Sequence, residues 1–291
     1  MDAMNHIENA RDPEIIKSEE LSVAMELAEQ AGEILKKYHR TNLLVGYKHD
    51  QFDPVTVADK ESDEFLRAGV RRSFPNDEIL SEENSLKPSS YDGRVWMIDP
   101  LDATKDYVGG GDGASVMIGL LEQGRPKLGV VYLPFRNEWY FGESGKGSFH
   151  VEAGISKRLH VPEATAIEES RLVGRNVLTG DVRPIDTAIA QLHFKQTIPE
   201  ASIGAKIGLI AAREAEAFIN TNLRAGKWDT LAAHVILAEA GGVMCDIDGK
   251  ALDYTKQTSG WDRFFMAACT PELLQKIING LGEINATTHT F

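Results

Sequence analysis

Two carboxylates three residues apart close the apolar run Trp96-Met97-Ile98-Asp99-Pro100-Leu101-Asp102-Ala103-Thr104, and a hydroxyl follows two residues later. Residues of these types in this order can do metal chemistry. Val95 to Ile98 reads as a buried strand, and Pro100 is expected to stop it. Asp99 and Asp102 then fall where a strand gives way to a turn, so both can address one point. Two bare carboxylates about 5 Å apart repel by roughly 3 kcal/mol at an effective dielectric of about 20. A hard divalent cation removes that repulsion and takes the oxygens as ligands. The competing reading is an Asx-type turn with two solvated acids.

Further acids stand at the ends of elements. Asp53-Pro54-Val55-Thr56-Val57-Ala58-Asp59 is a short β-prone run ending in an acid. Asp59 is expected to open an amphipathic stretch, Lys60 to Phe74, closed by Pro75. Ile79-Leu80-Ser81-Glu82-Glu83 reads as a short strand that ends in paired acids. Lys227-Trp228-Asp229-Thr230 leads into a helix over Leu231 to Ala240, which Gly241-Gly242 ends. Each acid also has a plain structural explanation. Asp59 and Asp229 can be helix N-caps, and Glu82 and Glu83 can be a solvated strand end. Acids repeated at such positions, each beside an apolar strand or helix, favour a shared site.

The elements that must hold these acids are mixed α and β, with no repeat and no low-complexity linker. Ser18 to Tyr38 is expected as a helix, with Leu21, Met25, Ala28, Ala31, Ile34, Leu35 and Tyr38 on its apolar side. Glu19-Glu20 and Lys36-Lys37 suit the two ends of its dipole. Ser115 to Glu122, a turn at Gln123-Gly124-Arg125-Pro126, and Leu128 to Phe135 read as a hairpin. Glu138 to Gly142 and Ser148 to Glu152 read as further antiparallel strands. A second lobe is expected from about Leu159. The boundaries are then an N-terminal arm over 1–17, an N-terminal α+β lobe with the metal site over 18–158, and a C-terminal α/β lobe over 159–291.

The chain has 291 residues, 42% of them apolar, which suffices for one large domain or two lobes. No apolar run reaches the roughly 18 residues of a membrane span. Met1 to Pro13 is polar and acidic, unlike a secretory signal. Cys245 and Cys269 lie in apolar runs and are too few for a disulfide framework. Two buried thiols in a reducing compartment, hence a cytoplasmic protein, is the expectation. The eight His residues show no metal-ligand spacing. A net charge of −13 argues against a nucleic-acid duplex or an anionic membrane as partner. Anionic small substrates stay open, because bound metal reverses the local sign.

The order Asp-Pro-Val-Thr-x-Ala-Asp, Glu-Glu, Trp-x-Ile-Asp-Pro-Leu-Asp-x-Thr, Trp-Asp-Thr and Ala-Gly-Gly resembles the inositol monophosphatase superfamily. The match runs from about Ser18 to about Ala268, and several ordered motifs make it specific. Asp102-Ala103-Thr104-Lys105-Asp106-Tyr107 is similar to the Asp-Gly-Thr-Lys-Glu-Tyr/Phe form typical of 3'(2'),5'-bisphosphate nucleotidases. Leu128-Gly129-Val130-Val131-Tyr132-Leu133-Pro134 and Gly249-Lys250-Ala251-Leu252-Asp253-Tyr254 resemble the bacterial members of that branch. The resemblance implies an α/β (α+β layered) fold of alternating helix and sheet layers, a sandwich like that of inositol monophosphatase and fructose-1,6-bisphosphatase. It implies an active site between two lobes and a magnesium-dependent, lithium-sensitive phosphomonoesterase.

The resemblance also implies residue roles. Glu82, Asp99 and the Leu101 carbonyl would hold one Mg²⁺. Asp99, Asp102 and Asp229 would hold a second, and a third ion near Glu82 is open. Asp59 and Thr104 would orient and deprotonate an attacking water, with Glu82 completing the catalytic set. Attack would be direct and in line, without a phosphoenzyme. Backbone N–H groups at Ala103 and Thr104 would cradle phosphate, and Glu83 would stand beside the ligands without being one. Lys105, Arg175, Ser202 and Asp229 would meet substrate.

Some positions depart from the pattern. Ala103 stands where the superfamily usually has Gly. An ordinary helix N-terminus there would tolerate Ala, whereas a positive φ would not. Gly109-Gly110-Gly111 is expected to be a turn rather than a phosphate loop. Ser202-Ile203-Gly204-Ala205-Lys206 keeps Ser202 and Gly204 of the branch's Ser-Ile-Gly-Ser-Ser run, and Gly174-Arg175-Asn176 replaces Ser-Arg-Ser. The expected reaction converts 3'-phosphoadenosine 5'-phosphate to AMP and phosphate. The alternatives are inositol 1-phosphate, histidinol phosphate or a sugar bisphosphate as substrate, or a catalytically silent phosphate binder. The expected partner is a small phosphorylated substrate, and a homodimer is open.

Overall fold

The computed structural model describes residues 17–41, 45–48, 54–84, 86–164, 166–174 and 182–288. In chain order the first half contains α1 (Glu19–Tyr38), β1 (Gly46–Tyr47), β2 (Pro54–Val55), α2 (Val57–Ser73), β3 (Glu78–Ser81), β4 (Arg94–Asp102) and α3 (Thr104–Val108). It continues through β5 (Ser115–Glu122), β6 (Arg125–Leu133), β7 (Glu138–Glu143), β8 (Gly147–Glu152) and β9 (Ile155–Arg158). The second half contains β10 (Arg171–Val173), α4 (Pro184–Gln191), β11 (Gln196–Ile198), α5 (Ile203–Ala211), β12 (Ala217–Asn220) and α6 (Leu231–Glu239). It ends with β13 (Val243–Asp246), β14 (Phe265–Ala268) and α7 (Pro271–Thr288).

Strands β3 to β9 form a seven-stranded sheet in sequence order. Only β3 and β4 run parallel; the remaining pairs are antiparallel. Alternation sorts the side chains. Trp96, Ile98, Val116, Ile118, Val130 and Tyr132 face α1 and α2, while Val95, Met97, Met117 and Val131 join the core that includes α5 and α6. Both faces are therefore buried, which explains why β4 and β5 read as continuous apolar runs. Gly129 lets α6 approach: a Cβ there would meet the Ala232 carbonyl oxygen at 2.1 Å.

A five-stranded sheet, ordered β11-β10-β12-β14-β13, covers the other side of α5 and α6. Helices α4 and α7 pack on each other and α7 on β14. The result is the layered α/β sandwich, helix layers alternating with sheets. The first sheet ends at Arg158 and the second begins at Arg171, but one apolar cluster runs through both.

Three local expectations are corrected. Helix α2 starts at Val57, not Lys60, and Thr56 is its N-cap. Strand β4 does not stop at Pro100. It continues to Asp102 through a bulge, because Asp99 pairs with Met117 and Asp102 with Ser115. Pro100 sits in that bulge, where no ladder hydrogen bond is asked of it. The β5–β6 turn is only Gln123-Gly124, both left-handed at φ 52° and 73°, and Arg125 and Pro126 already belong to β6. A two-residue turn with both residues left-handed has a backbone twist that matches that of the paired strands.

Candidate metal centre

The bulge is what aims the first two acids. With one extra residue between Asp99 and Asp102, both side chains turn toward the start of α6 instead of alternating across the sheet. Oxygens of Asp99, Asp102 and Asp229 lie within 4.8 Å of one another, and all three residues are buried. The Leu101 N–H donates to Asp99 Oδ1 at 2.9 Å, which holds the bulge closed. The Gly204 N–H donates to Asp102 Oδ2 at 3.3 Å, from the first turn of α5. Asp229 is not an N-cap: Thr230 precedes α6, and Asp229 Oδ2 accepts the Gly226 N–H at 2.5 Å.

Glu82 follows β3, where its N–H donates to the Ile98 carbonyl at 3.2 Å. Its carboxylate lies close enough to Asp99 for each to influence the other's proton affinity. Burial and the charges of Glu82, Asp229 and Asp102 push the Asp99 carboxyl well above the usual carboxylate range. Burial, Glu82 and Asp102 do the same to Asp229. Burial raises Asp102 despite hydrogen bonds from Ser202 and the α5 backbone. Carboxylates this close need either protons or a cation between them. The donor set is hard oxygen and negatively charged, which fits a divalent ion such as Mg²⁺. Leu101 O, the expected carbonyl ligand, lies in the same bulge and accepts from Thr104 Oγ1 at 3.0 Å.

Asp59 lies beside this cluster at the third position of α2. It closes a capping box: the Thr56 N–H and hydroxyl donate to Asp59 Oδ2 at 2.7 and 2.6 Å. Its other oxygen, Oδ1, accepts from Thr104 Oγ1 at 3.2 Å. Thr104 thus has one hydrogen and two acceptors, Asp59 and Leu101. Burial raises the proton affinity of Asp59. Helix α2 is also laced to the acid loop: Ser62 Oγ donates to the Pro100 carbonyl at 3.1 Å, and Asp63 accepts the Ser81 hydroxyl.

Other expected site residues fall as follows. Ala103 is left-handed, φ 69° and ψ 41°, and not the ordinary helix N-terminus expected of it. The chain must reverse there between the end of β4 and α3, and Gly is the residue that does so without strain. Lys105 is exposed on α3. Ser202 is fully buried and does not line an open surface. It caps α5 through the Ala205 N–H at 2.9 Å and contacts the Ser115 hydroxyl at 2.9 Å. Arg175 lies outside the described residues, as do Asn176 and Asp53. The glycine run is a turn wrapped around Asp106, whose carboxylate accepts the Gly113 N–H at 3.0 Å.

Sequence reasoning passed over two cations. Lys48, after β1, donates to Glu82 at 2.8 Å and pairs with Glu83. Burial raises Glu83 to about 7 against the opposing effect of Lys48. Lys206 donates to the Ala201 carbonyl at 2.7 Å, and the charges of Asp102, Glu200 and Asp229 oppose its burial. A lone lysine in a loop or on a short helix carries no spacing signal, so nothing marked either one.

This fold and site define a class: layered α/β proteins with a buried acid cluster where a strand of the first sheet meets the start of α6. The chain belongs to the inositol monophosphatase family, whose model matches residues 16–283. It is accordingly a phosphatase of that family. A 3'(2'),5'-bisphosphate nucleotidase CysQ from Aggregatibacter actinomycetemcomitans is 30% identical over 266 residues, 89% of this chain and 96% of that protein. The Nus factor SuhB of Pasteurella multocida is 30% identical over 271 residues, 89% of this chain and 94% of that protein. Among solved structures, an IMPase from Thermotoga maritima superposes with a TM-score of 0.78 at 25% identity, covering 93% of this chain and 99% of that one. No helix among the described residues is long and apolar enough to cross a membrane.

Proposed function

We propose that the protein is a Mg²⁺-dependent, lithium-sensitive phosphomonoesterase that converts 3'-phosphoadenosine 5'-phosphate to AMP and phosphate. The observation that carries this reading is the buried cluster of Asp99, Asp102 and Asp229 beside the Asp59–Thr104 hydrogen bond. Glu82, Asp99 and the Leu101 carbonyl would hold one ion, and Asp99, Asp102 and Asp229 a second; a third near Glu82 is open. Such ions supply charge neutralisation and an acidified water.

The chain's own residues do the rest. Thr104 Oγ1 would orient the attacking water and take its proton while passing its own hydrogen to Asp59 Oδ1, whose raised proton affinity suits a base. The N–H groups at Ala103 and Thr104 precede the first bond of α3, from the Tyr107 N–H to the Ala103 carbonyl, and would meet phosphate oxygens. Lys105 is free to reach a second phosphate, and Arg175 is a further candidate. Support for a nucleotide substrate comes from the Lys105-Asp106-Tyr107 extension and the nucleotidase relatives. The second reading, an inositol monophosphatase, is favoured by the structural likeness to an IMPase and by Ser202 lying inside the protein. The strained Ala103 supports a silent binder. We place the protein in the cytoplasm, where buried unpaired thiols at Cys245 and Cys269 persist. Its partner is a small phosphorylated molecule rather than a duplex or membrane, and a homodimer is compatible with it.

Phosphate release with Mg²⁺ from 3'-phosphoadenosine 5'-phosphate, inositol 1-phosphate and fructose 1,6-bisphosphate tests this directly. The nucleotide should be strongly preferred, and millimolar lithium should inhibit. Asp102→Asn should cut turnover by more than the ~100-fold typical of merely supporting residues, with the fold intact. Preference for inositol phosphate would replace the nucleotide reading. Unchanged turnover in Asp102→Asn would sink the metal assignment.

A further inference from the structure

Lys227 precedes Trp228 and Asp229, and its side chain has no part in the chemistry proposed above. It is nonetheless fully buried. Carbonyls and a ring hold it rather than a carboxylate. Its Nζ donates to the Tyr254 carbonyl at 2.8 Å and to the Lys256 carbonyl, and lies 4.2 Å from the centroid of the Tyr91 ring. Burying an ammonium is costly unless its donors are satisfied, and an aromatic face offsets part of that cost.

The partners come from segments far apart in sequence. Tyr91 lies just ahead of β4, and Tyr254 and Lys256 lie between β13 and β14. The backbone of Lys227 is tied as well. Its N–H donates to the Ser259 carbonyl at 2.9 Å, and its carbonyl accepts from the Thr230 and Leu231 N–H groups at 3.2 and 3.0 Å, starting α6. Trp261 Nε1 donates to the Gly226 carbonyl at 3.0 Å from the same covering segment. Every one of these bonds converges on the turn from Gly226 to Asp229.

That turn needs an anchor. Asp229 is held within 4.8 Å of the oxygens of Asp99 and Asp102, so like charges act to open it. Gly226 at the head of the turn offers no side chain to resist. We infer that Lys227 is a positioning residue for Asp229: its ammonium, gripped by the Tyr254 and Lys256 carbonyls and the face of Tyr91, anchors the turn that presents Asp229 to the acid cluster. This rests on the metal-dependent reading above. A side chain of similar length without charge would fill the space but leave the turn untied.

The test uses the full chain freed of metal by chelation. Mn²⁺ binding by titration calorimetry and the metal-free melting temperature are measured for wild type, Lys227→Met, Asp229→Asn and the double variant. Lys227→Met should bind Mn²⁺ at least about tenfold more weakly, as expected of a residue that orients a ligand. Its metal-free melting temperature should stay close to wild type, and it should add no loss in the Asp229→Asn background. Wild-type affinity in Lys227→Met overturns the inference. So does an equal loss in both backgrounds, the mark of a general structural role. If Lys227→Met does not fold, Tyr91→Leu removes only the ring; a smaller but measurable loss of affinity supports the anchor, and no loss overturns it. A wild-type protein that binds no Mn²⁺ overturns the metal reading and this inference together, which separates the two failures.

Discussion

Ala103 is the residue whose type and conformation disagree. An L-residue in the left-handed region costs about 1–2 kcal/mol, part of which Gly would lose again through unfolded-state entropy. Ala103→Gly should therefore stabilise the metal-free protein by about 0.5–1 kcal/mol, read from chemical denaturation, without lowering turnover. No change in stability would mean that the position is relaxed. The sequence marked this site as a departure, but residue type alone cannot reveal φ. The same limit applies to Ser202, which looked like a substrate contact and is buried as the cap of α5. Asp99, Asp102 and Asp229 were legible because the Asp-Pro-Leu-Asp-x-Thr and Trp-Asp-Thr runs that carry them resemble the family's motifs.

At the level of elements, most strands and helices were legible from periodicity, while their ends were not. Helix α2 begins three residues before its expected start because Thr56, not Asp59, caps it. Capping box geometry makes Asp59 both a structural and a chemical residue. Helix α6 is apolar nearly all round because sheets cover it on two sides, and it carries one titratable surprise. Burial lowers the His234 pKa from 6.5 to about 4, and His234 Nδ1 contacts the Tyr254 hydroxyl at 3.1 Å. The unfolded chain takes up this proton at higher pH than the native one. The His234 contribution is therefore complete above pH 6.5 and is lost as pH falls toward about 4. Its upper bound is roughly 3 kcal/mol. His234→Phe should flatten the acid side of the melting-temperature profile between those limits. A profile parallel to wild type would refute the assignment.

Over the whole molecule the acid cluster works in the opposite sense. Raised carboxyl groups mean that the metal-free native state holds protons which the unfolded chain has released. That contribution is present at low pH and is lost as pH rises through the native values; for Glu83 the window runs from 4.5 to about 7. Added Mg²⁺ should restore stability at neutral pH by RT ln(1 + [L]/Kd), about 2.7 kcal/mol at a hundredfold excess over Kd. Asp99→Asn should raise the metal-free melting temperature at neutral pH, because a repelling charge is gone, and should abolish the rise with Mg²⁺. Scanning calorimetry with and without Mg²⁺ checks both signs. A metal-free Asp99→Asn protein less stable than wild type would show that repulsion is not what the cluster stores.

The sequence by itself determined the family, the mixed layering and the acids of the candidate centre. It could do so because that chemistry requires particular residue types at the ends of particular apolar runs, and both are local properties. The tertiary structure alone decided the left-handed Ala103, the pairing of Lys48 with Glu82, the burial of Ser202 and the caging of Lys227. The Gly204 contact to Asp102 spans 102 residues, and the bond from Lys227 to Tyr254 spans 27. Contacts of that kind depend on which loops the two sheets bring together. No period or spacing in the chain encodes that meeting; it follows from packing α5 and α6 between the sheets.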